Sequence, residues 1–231
     1  MSGVVRLHDG GILAKIAAFS SFWGRIINTN GIRKDPQFPA LVLAAGQAAR
    51  MGRFKQLLPL PGGGSLLSHA VSQARLLSSN TWVVAGAGYP LIRYRCHCSP
   101  SRWLYNARWS EGLSSSLIAG IRRMPGEALG VFVLLADQPM LAEGGLERLA
   151  RRARQSPGIP WAACYGRRVG VPAWLPRHVW PEVLALRGDV GAGLVLNRSG
   201  ARPVDIAGVH QDIDTPEDWE SAVRRLAEQA G

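Results

Sequence analysis

Among 231 residues this chain has three lysines, at 15, 34 and 55, and three cysteines, at 96, 98 and 164. Three thiols make no disulfide framework and suit a reducing compartment. Cys96-His97-Cys98 has no second pair at zinc spacing, which argues against a structural zinc site. The five histidines show no metal-ligand spacing. Acidic residues are scarce, 16 against 27 basic ones, for a net charge of +11. That field suits polyanions, phosphate-rich small molecules included. No basic–aromatic interleaving or known nucleic-acid module is present, so nucleic acid is not expected as a partner. The apolar stretch Gly11–Ile27 is broken by Lys15 and Arg25, far short of the roughly 20 residues of a membrane span. No clean small-x-small cleavage site follows it, so neither a membrane nor export is expected and the cytoplasm is. Walker A, G-x-G-x-x-G, G-x-S-x-G and H-E-x-x-H motifs are all missing, and no internal repeat is visible.

What is present is the composition of a globular domain, 47% hydrophobic and 19% charged. Residues 1–38 read as an N-terminal extension, disordered or a short amphipathic helix, and 39–231 as one α/β domain. Ala40–Ala44 is wholly apolar, as a buried parallel strand should be. Ser65 caps a helix to about Ser78. Strands follow at Trp82–Gly86, Arg102–Tyr105, Gly130–Leu135 and Trp161–Cys164. Helices are expected at Ser114–Met124, Leu141–Gln155, Pro181–Arg187 and Val190–Leu196. Thr215-Pro216-Glu217-Asp218 starts a last helix that runs to the C-terminus. Alternating strands and helices imply a mostly parallel sheet with helices on both faces.

Three stretches carry candidate chemistry. After the first strand, Leu43, Ala44, Ala45 and Gly46 let backbone N–H groups approach phosphate oxygens, and Arg50 and Lys55 add fixed positive charge. Lys55 is the one lysine after residue 34 in a chain that otherwise uses arginine, which suggests a need for a compact ammonium. Asp137, in Leu135-Ala136-Asp137-Gln138-Pro139, stands at the carboxyl end of an apolar strand, where open α/β sheets bind ligands. A lone carboxylate beside phosphates suits Mg²⁺. Asp212 and Asp214 alternate before the last helix, which puts both on one side of an extended segment. Two readings stand for them: a second metal carboxylate, or ordinary helix-start chemistry. Ser114–Ser116 and Gly188–Gly193 offer helix-entry donors for an anion, or simply capped helix starts.

These motifs occur in a definite order. They are L-A-A-G-x-x-x-R-M-G-x-x-K-x-L-L at Leu43–Leu58, N-x-x-W-x-x-G-x-x-S-S-L at Asn106–Leu117, L-x-D-Q-P at Leu135–Pro139, G-D-x-G-A at Gly188–Ala192 and D-I-D-T-P-x-D at Asp212–Asp218. Together they resemble the molybdenum cofactor cytidylyltransferase family, relatives of the molybdenum cofactor guanylyltransferases. The resemblance implies a three-layer α/β/α Rossmann-like nucleotidyltransferase fold with a mostly parallel mixed sheet. It implies transfer of CMP from CTP to molybdopterin-bound molybdenum cofactor, with Mg²⁺ as cofactor and pyrophosphate released. L-A-A-G rather than L-A-G-G favours CTP over GTP in that family. By position, Leu43, Ala44, Ala45, Gly46 and Ser115 would line the nucleotide, Arg50 and Lys55 would hold phosphates, and Asp137 and Asp214 would hold the metal. A molybdenum hydroxylase receiving the cofactor is the implied partner. Ala48, Val171 and Gly193 depart from the family pattern, the last two in the region assigned to the acceptor. Rival readings are GTP or another phosphorylated acceptor, or a non-catalytic cofactor carrier.

Overall fold

The computed structural model describes residues 35–47, 52 and 54–229. The expected N-terminal extension, up to residue 34, lies outside the described residues, as do Ala48 and Arg50.

Seven strands form one sheet: β1 (Ala40–Ala44), β2 (Thr81–Ala85), β3 (Arg102–Tyr105), β4 (Gly130–Leu135), β5 (Trp161–Tyr165), β6 (Arg168–Pro176) and β7 (Arg202–Val204). Their order is β3-β2-β1-β4-β6-β5-β7. β6 pairs antiparallel with both β4 and β5, and every other pairing is parallel. The sheet is therefore mixed and mostly parallel, as expected.

The helices are α1 (Leu66–Leu77), α2 (Leu91–Arg95), α3 (Leu113–Ile121), α4 (Glu143–Gln155), α5 (Trp180–Leu184), α6 (Ala192–Arg198) and α7 (Pro216–Gln229). Alternation along β1 assigns them to layers, because successive strand side chains point to opposite faces. Ala40, Val42 and Ala44 pack with Leu67, Val71, Leu146 and Leu149 of α1 and α4. Leu41 and Leu43 pack with Leu117, Val183, Val195 and Leu196 of α3, α5 and α6. All five residues of β1 are buried, which is why its sequence shows no polar alternation. Phe38 stacks on Trp174 at 5.1 Å, so the chain is anchored just before β1.

The N-terminal cap of α1 is as expected. The Ser65 side chain accepts from Ser68 N, and Ser68 Oγ accepts from Ser65 N at 2.7 Å. Thr215 and Asp218 do the same for α7, with Asp218 N donating to Thr215 Oγ1 and Thr215 N to Asp218 Oδ2.

Five elements differ from expectation. The helices expected at Pro181–Arg187 and Val190–Leu196 are Trp180–Leu184 and Ala192–Arg198. Gly188, at φ 65°, sits in the left-handed turn between them. Neither α2 nor β7 was legible, each being five residues or fewer. β6 was missed because Gly170 and Pro172 interrupt its apolar pattern. The β5–β6 register jumps from Ala162↔Ala173 to Ala163↔Gly170, so Val171 and Pro172 fall in a bulge. A bulge is where a sheet tolerates proline.

Candidate active site

β1 and β4 are neighbours, and Ala136 N donates to Leu43 O at 3.1 Å. This bond carries the pairing one residue past β4 and sets Asp137 beside the loop that leaves β1. That loop returns through a short 3-10 turn, Lys55–Leu57. From the far end of the chain, Ile213 N donates to Asp137 O at 2.9 Å. Three distant segments thus meet at one point.

Lys55 joins them. Its Nζ donates to Asp137 Oδ2 at 2.7 Å, to Ile213 O at 2.8 Å and to Asp214 Oδ1 at 3.2 Å. An ammonium has three hydrogens, and here each has an acceptor. Burial works to lower the Lys55 pKa, but Asp137 and Asp214 outweigh it and hold it above its ordinary value. Asp137 Oδ1 is buried and has no hydrogen-bond partner among the described residues. An orphaned carboxylate oxygen is costly in a protein interior and calls for a cation or a donor.

Asp212 and Asp214 do not act on one side together, as their spacing suggested. Asp214 faces Lys55, whereas Asp212 Oδ1 accepts from Gln138 Nε2 at 2.9 Å. Loss of hydration raises the Asp212 pKa first, the Gln138 hydrogen bond opposes this, and the Asp137 and Asp214 charges add to the rise. Gln138, almost wholly buried, also reaches Tyr165 Oη at 2.9 Å and Val209 O at 3.2 Å. Tyr165 Oη donates to Val171 O at 2.6 Å.

The loop that leaves β1 is held from behind by Gln56, which sequence reasoning missed. Its Nε2 donates to Ala44 O at 3.0 Å and Gly46 O at 2.8 Å. Ala87 N donates to Ala45 O at 3.0 Å, so three successive carbonyls are tied inward. Gly46 and Gln47 are exposed, and a Cβ added at Gly46 would meet nothing within 4 Å among the described residues. Protein packing therefore does not require glycine there, while a close ligand would. The signal for Gln56 was a lone polar residue inside an otherwise apolar run after Lys55.

Ser115 is engaged within the protein. Its Oγ donates to Gly112 O at 2.8 Å and accepts from Asn106 Nδ2 at 2.9 Å. Leu113 N donates to Asp189 Oδ1 and Ser114 Oγ to Gly188 O, so the 188–189 turn caps α3 from outside. Gly112, at φ 99°, lies so close to Gly188 that a Cβ would fall 2.5 Å from its carbonyl. Both facts require glycine.

On the α3/α6 side of the sheet, a cavity of about 360 Å³ opens at the ends of β1 and β4. Leu43, Leu113, Leu135, Val169 and Val171 line it, with Tyr165 between it and Gln138. Val171 and Gly193, two of the positions that depart from the family pattern, both line this cavity and keep it apolar.

Comparison with known proteins agrees with this architecture. Residues 40–204 match the family model described as MobA-like NTP transferase domain. Purine catabolism protein PucB of Bacillus subtilis is 30% identical over 220 residues, covering 84% of this chain and all of that protein. A probable molybdenum cofactor guanylyltransferase of Mycobacterium tuberculosis is 34% identical over 129 residues, covering 52% of this chain and 60% of that protein. The crystal structure of the Mycobacterium tuberculosis protein Rv0371c in complex with manganese superposes with a TM-score of 0.68 at 25% identity, covering 81% of this chain and 98% of that one. The fold, the ordered motifs and the match over residues 40–204 make this chain a nucleotidyltransferase of the MobA-like NTP transferase family, a family related to molybdenum cofactor chemistry.

Proposed function

We propose that the chain transfers CMP from CTP to molybdopterin-bound molybdenum cofactor, giving the cytosine dinucleotide cofactor and pyrophosphate. One observation carries the proposal: Lys55 ties Asp137 to Asp214 at the mouth of the Gln56-braced loop, and Asp137 Oδ1 has no partner among the described residues.

The residues fit a divalent cation. Among the described residues no cluster of three or more His, Cys, Asp or Glu could hold a metal alone. Mg²⁺ needs no such cage, since it binds through one or two carboxylates plus substrate phosphates and water. Asp137 and Asp214 would hold it, and when bound it supplies charge stabilisation at the phosphate oxygens. The manganese complex of Rv0371c, a structural relative, supports a divalent-metal requirement here.

The chain's own residues do the rest. The loop at Ala44–Gly46 receives the triphosphate. The Lys55–Asp214 bond, at 3.2 Å the longest of the three, is the one a triphosphate would replace, and Asp214 would then be available as a metal ligand. Lys55 offsets charge on the α-phosphate and the leaving pyrophosphate. Arg50, which lies outside the described residues, adds a second cation from the same loop. A terminal phosphate oxygen of the acceptor attacks the α-phosphorus in line. The new O–P bond forms as the bond to the β-phosphate bridging oxygen breaks. Phosphate is already a nucleophile, so no strong base is needed. The apolar cavity beside Tyr165 would take the uncharged body of the acceptor. A molybdenum hydroxylase would then receive the product. The three free thiols fit work in the cytoplasm.

The test is a panel of the four NTPs with Mg²⁺ and molybdopterin-type acceptor, reading dinucleotide product by mass and pyrophosphate release. CMP adduct from CTP is expected. GMP adduct alone would make the chain a guanylyltransferase, and CTP binding with no transfer would make it a carrier.

A further inference from the structure

Cys96-His97-Cys98, the motif the nucleotide chemistry leaves unused, is a built pair of thiols. Cys96 ends α2 and is fully buried, while Cys98 is only partly covered. His97 between them takes a left-handed backbone, φ 49°, uncommon for a residue with a Cβ. That turn brings the two sulfurs to 3.0 Å, with both thiols free. A disulfide needs about 2.05 Å, so the remaining closure is about one ångström. The surroundings are fixed. Ser65, the cap of α1, donates its Oγ to Cys96 O at 3.3 Å, and Arg75 of α1 donates to Ser99 O at 2.8 Å. No third ligand makes this a metal cluster among the described residues.

We propose that Cys96 and Cys98 are a modification site that closes to an intramolecular disulfide by exchange with a small-molecule disulfide. Once the pair has lost one proton, the proton that remains is shared across the 3.0 Å contact, and Cys98, the partly exposed residue of the two, attacks one sulfur of the reagent as the thiolate. The reagent's S–S bond breaks, and one half leaves as a thiolate and takes up a proton. Cys96 then gives up its proton and attacks Cys98 Sγ, which forms the new S–S bond and releases the second half as a thiol. Two protein thiols are oxidised and one disulfide is reduced to two thiols. An S–H···S⁻ hydrogen bond between the two sulfurs eases loss of the first proton from the pair and holds the second well above the usual range. Exposure makes Cys98 the first nucleophile, and burial against it leaves Cys96 to close the ring.

The experiment treats the full chain with oxidised glutathione, quenches with N-ethylmaleimide under denaturing conditions, and maps peptides by mass. Expected is loss of two hydrogens from the peptide holding residues 96 and 98, with neither sulfur labelled. Cys164, whose Sγ faces Gly166 O at 3.6 Å, stays singly modified. In Cys96→Ser the closing nucleophile is gone, so Cys98 keeps glutathione as a stable adduct. The proposal is overturned if Cys96 and Cys98 both take the label when Cys164 already carries glutathione, or if either pairs with Cys164 instead. The wild-type map decides this even where the variant fails to fold.

Discussion

Lys55 is the residue on which the site turns, because one ammonium satisfies acceptors from two distant segments. Lys55→Ala and Asp137→Ala should each lower turnover roughly 10²–10³-fold, the usual loss of one transition-state contact. The circular dichroism spectrum should stay as in the wild type, since both side chains lie at the rim rather than in the core. Pyrophosphate release with CTP and Mg²⁺ is the measurement, and near-normal turnover in either variant rejects the assignment. Lys55→Arg should not rescue. A planar guanidinium directs its donors in a fork, whereas the three acceptors here converge on one nitrogen. Gln56→Leu tests the loop's brace. It leaves Ala44 O and Gly46 O without their donor, at a cost of about 1–3 kcal/mol per acceptor that stays buried. Urea denaturation should show the lost stability, and KM for CTP should rise as the loop loosens. Unchanged stability and KM would mean the brace is dispensable. At this scale the sequence was informative about charge and poor about support. Lys55 stood out by its rarity and Asp137 by its place after an apolar strand. Gln56 and Tyr165 could not be assigned, because their roles come from contacts across the fold.

Element-level positions depend on how helices are held at the site end of the sheet. His69 and Gln73 of α1 both point at Pro139 O, at 2.9 and 3.3 Å, and so fix the segment that carries Asp137. A carbonyl only accepts, so His69 Nε2 carries the proton. Burial lowers the His69 pKa below 6.5, against smaller opposing effects of the Pro139 hydrogen bond and Glu143. The sign follows from proton uptake: as pH falls, the unfolded chain takes the proton first. His69 therefore contributes stability above 6.5 that is lost as pH falls through its lower folded value. The urea midpoint should drop between about pH 7 and pH 5, and drop less in His69→Gln. Equal drops in both proteins would remove His69 from the account. Thr215 makes the second element-level test. It caps α7, whose Trp219 and Ala222 pack with Ile213, Leu58 and Leu66 and so seat the Ile213 carbonyl on Lys55. Thr215→Ala should cost about 1 kcal/mol in urea denaturation. This cap was readable in advance, as was that of α1, because capping uses residues within one turn of each other. β6 was not readable. Its Gly170 and Pro172 look like loop residues until the bulge against β5 shows where they are tolerated.

For the domain as a whole, the proposed ligands bridge the contacts that folding makes, so stability becomes a probe of the proposed metal site. The cluster draws on the β1 loop, the end of β4 and the segment before α7, so a ligand that bridges them disfavours unfolding. A ligand at about 100 times its Kd adds about 2.7 kcal/mol. For a domain of this size each kcal/mol raises Tm by about 2–4 °C. CTP should therefore raise Tm by roughly 5–10 °C with Mg²⁺ at that excess, and by less with EDTA. Asp137→Asn separates metal from nucleotide. Lys55 keeps Ile213 O and Asp214, so no cation is left bare and the fold survives the change. In that variant the CTP shift should be the same with Mg²⁺ as with EDTA. A Mg²⁺ increment that persists would place the cation elsewhere and remove Asp137 from the metal's ligands. The choice of base is a different matter. The proposed function assigns it to the L-A-A-G loop, where Ala45 packs so close to Gly86 that a Cβ added at Gly86 would lie 2.8 Å from the Ala45 methyl. The two positions are coupled, and a nucleotide panel run on Ala45→Gly should shift acceptance toward GTP if that methyl sets the preference. An unaltered CTP-to-GTP ratio would move the discrimination to another part of the loop.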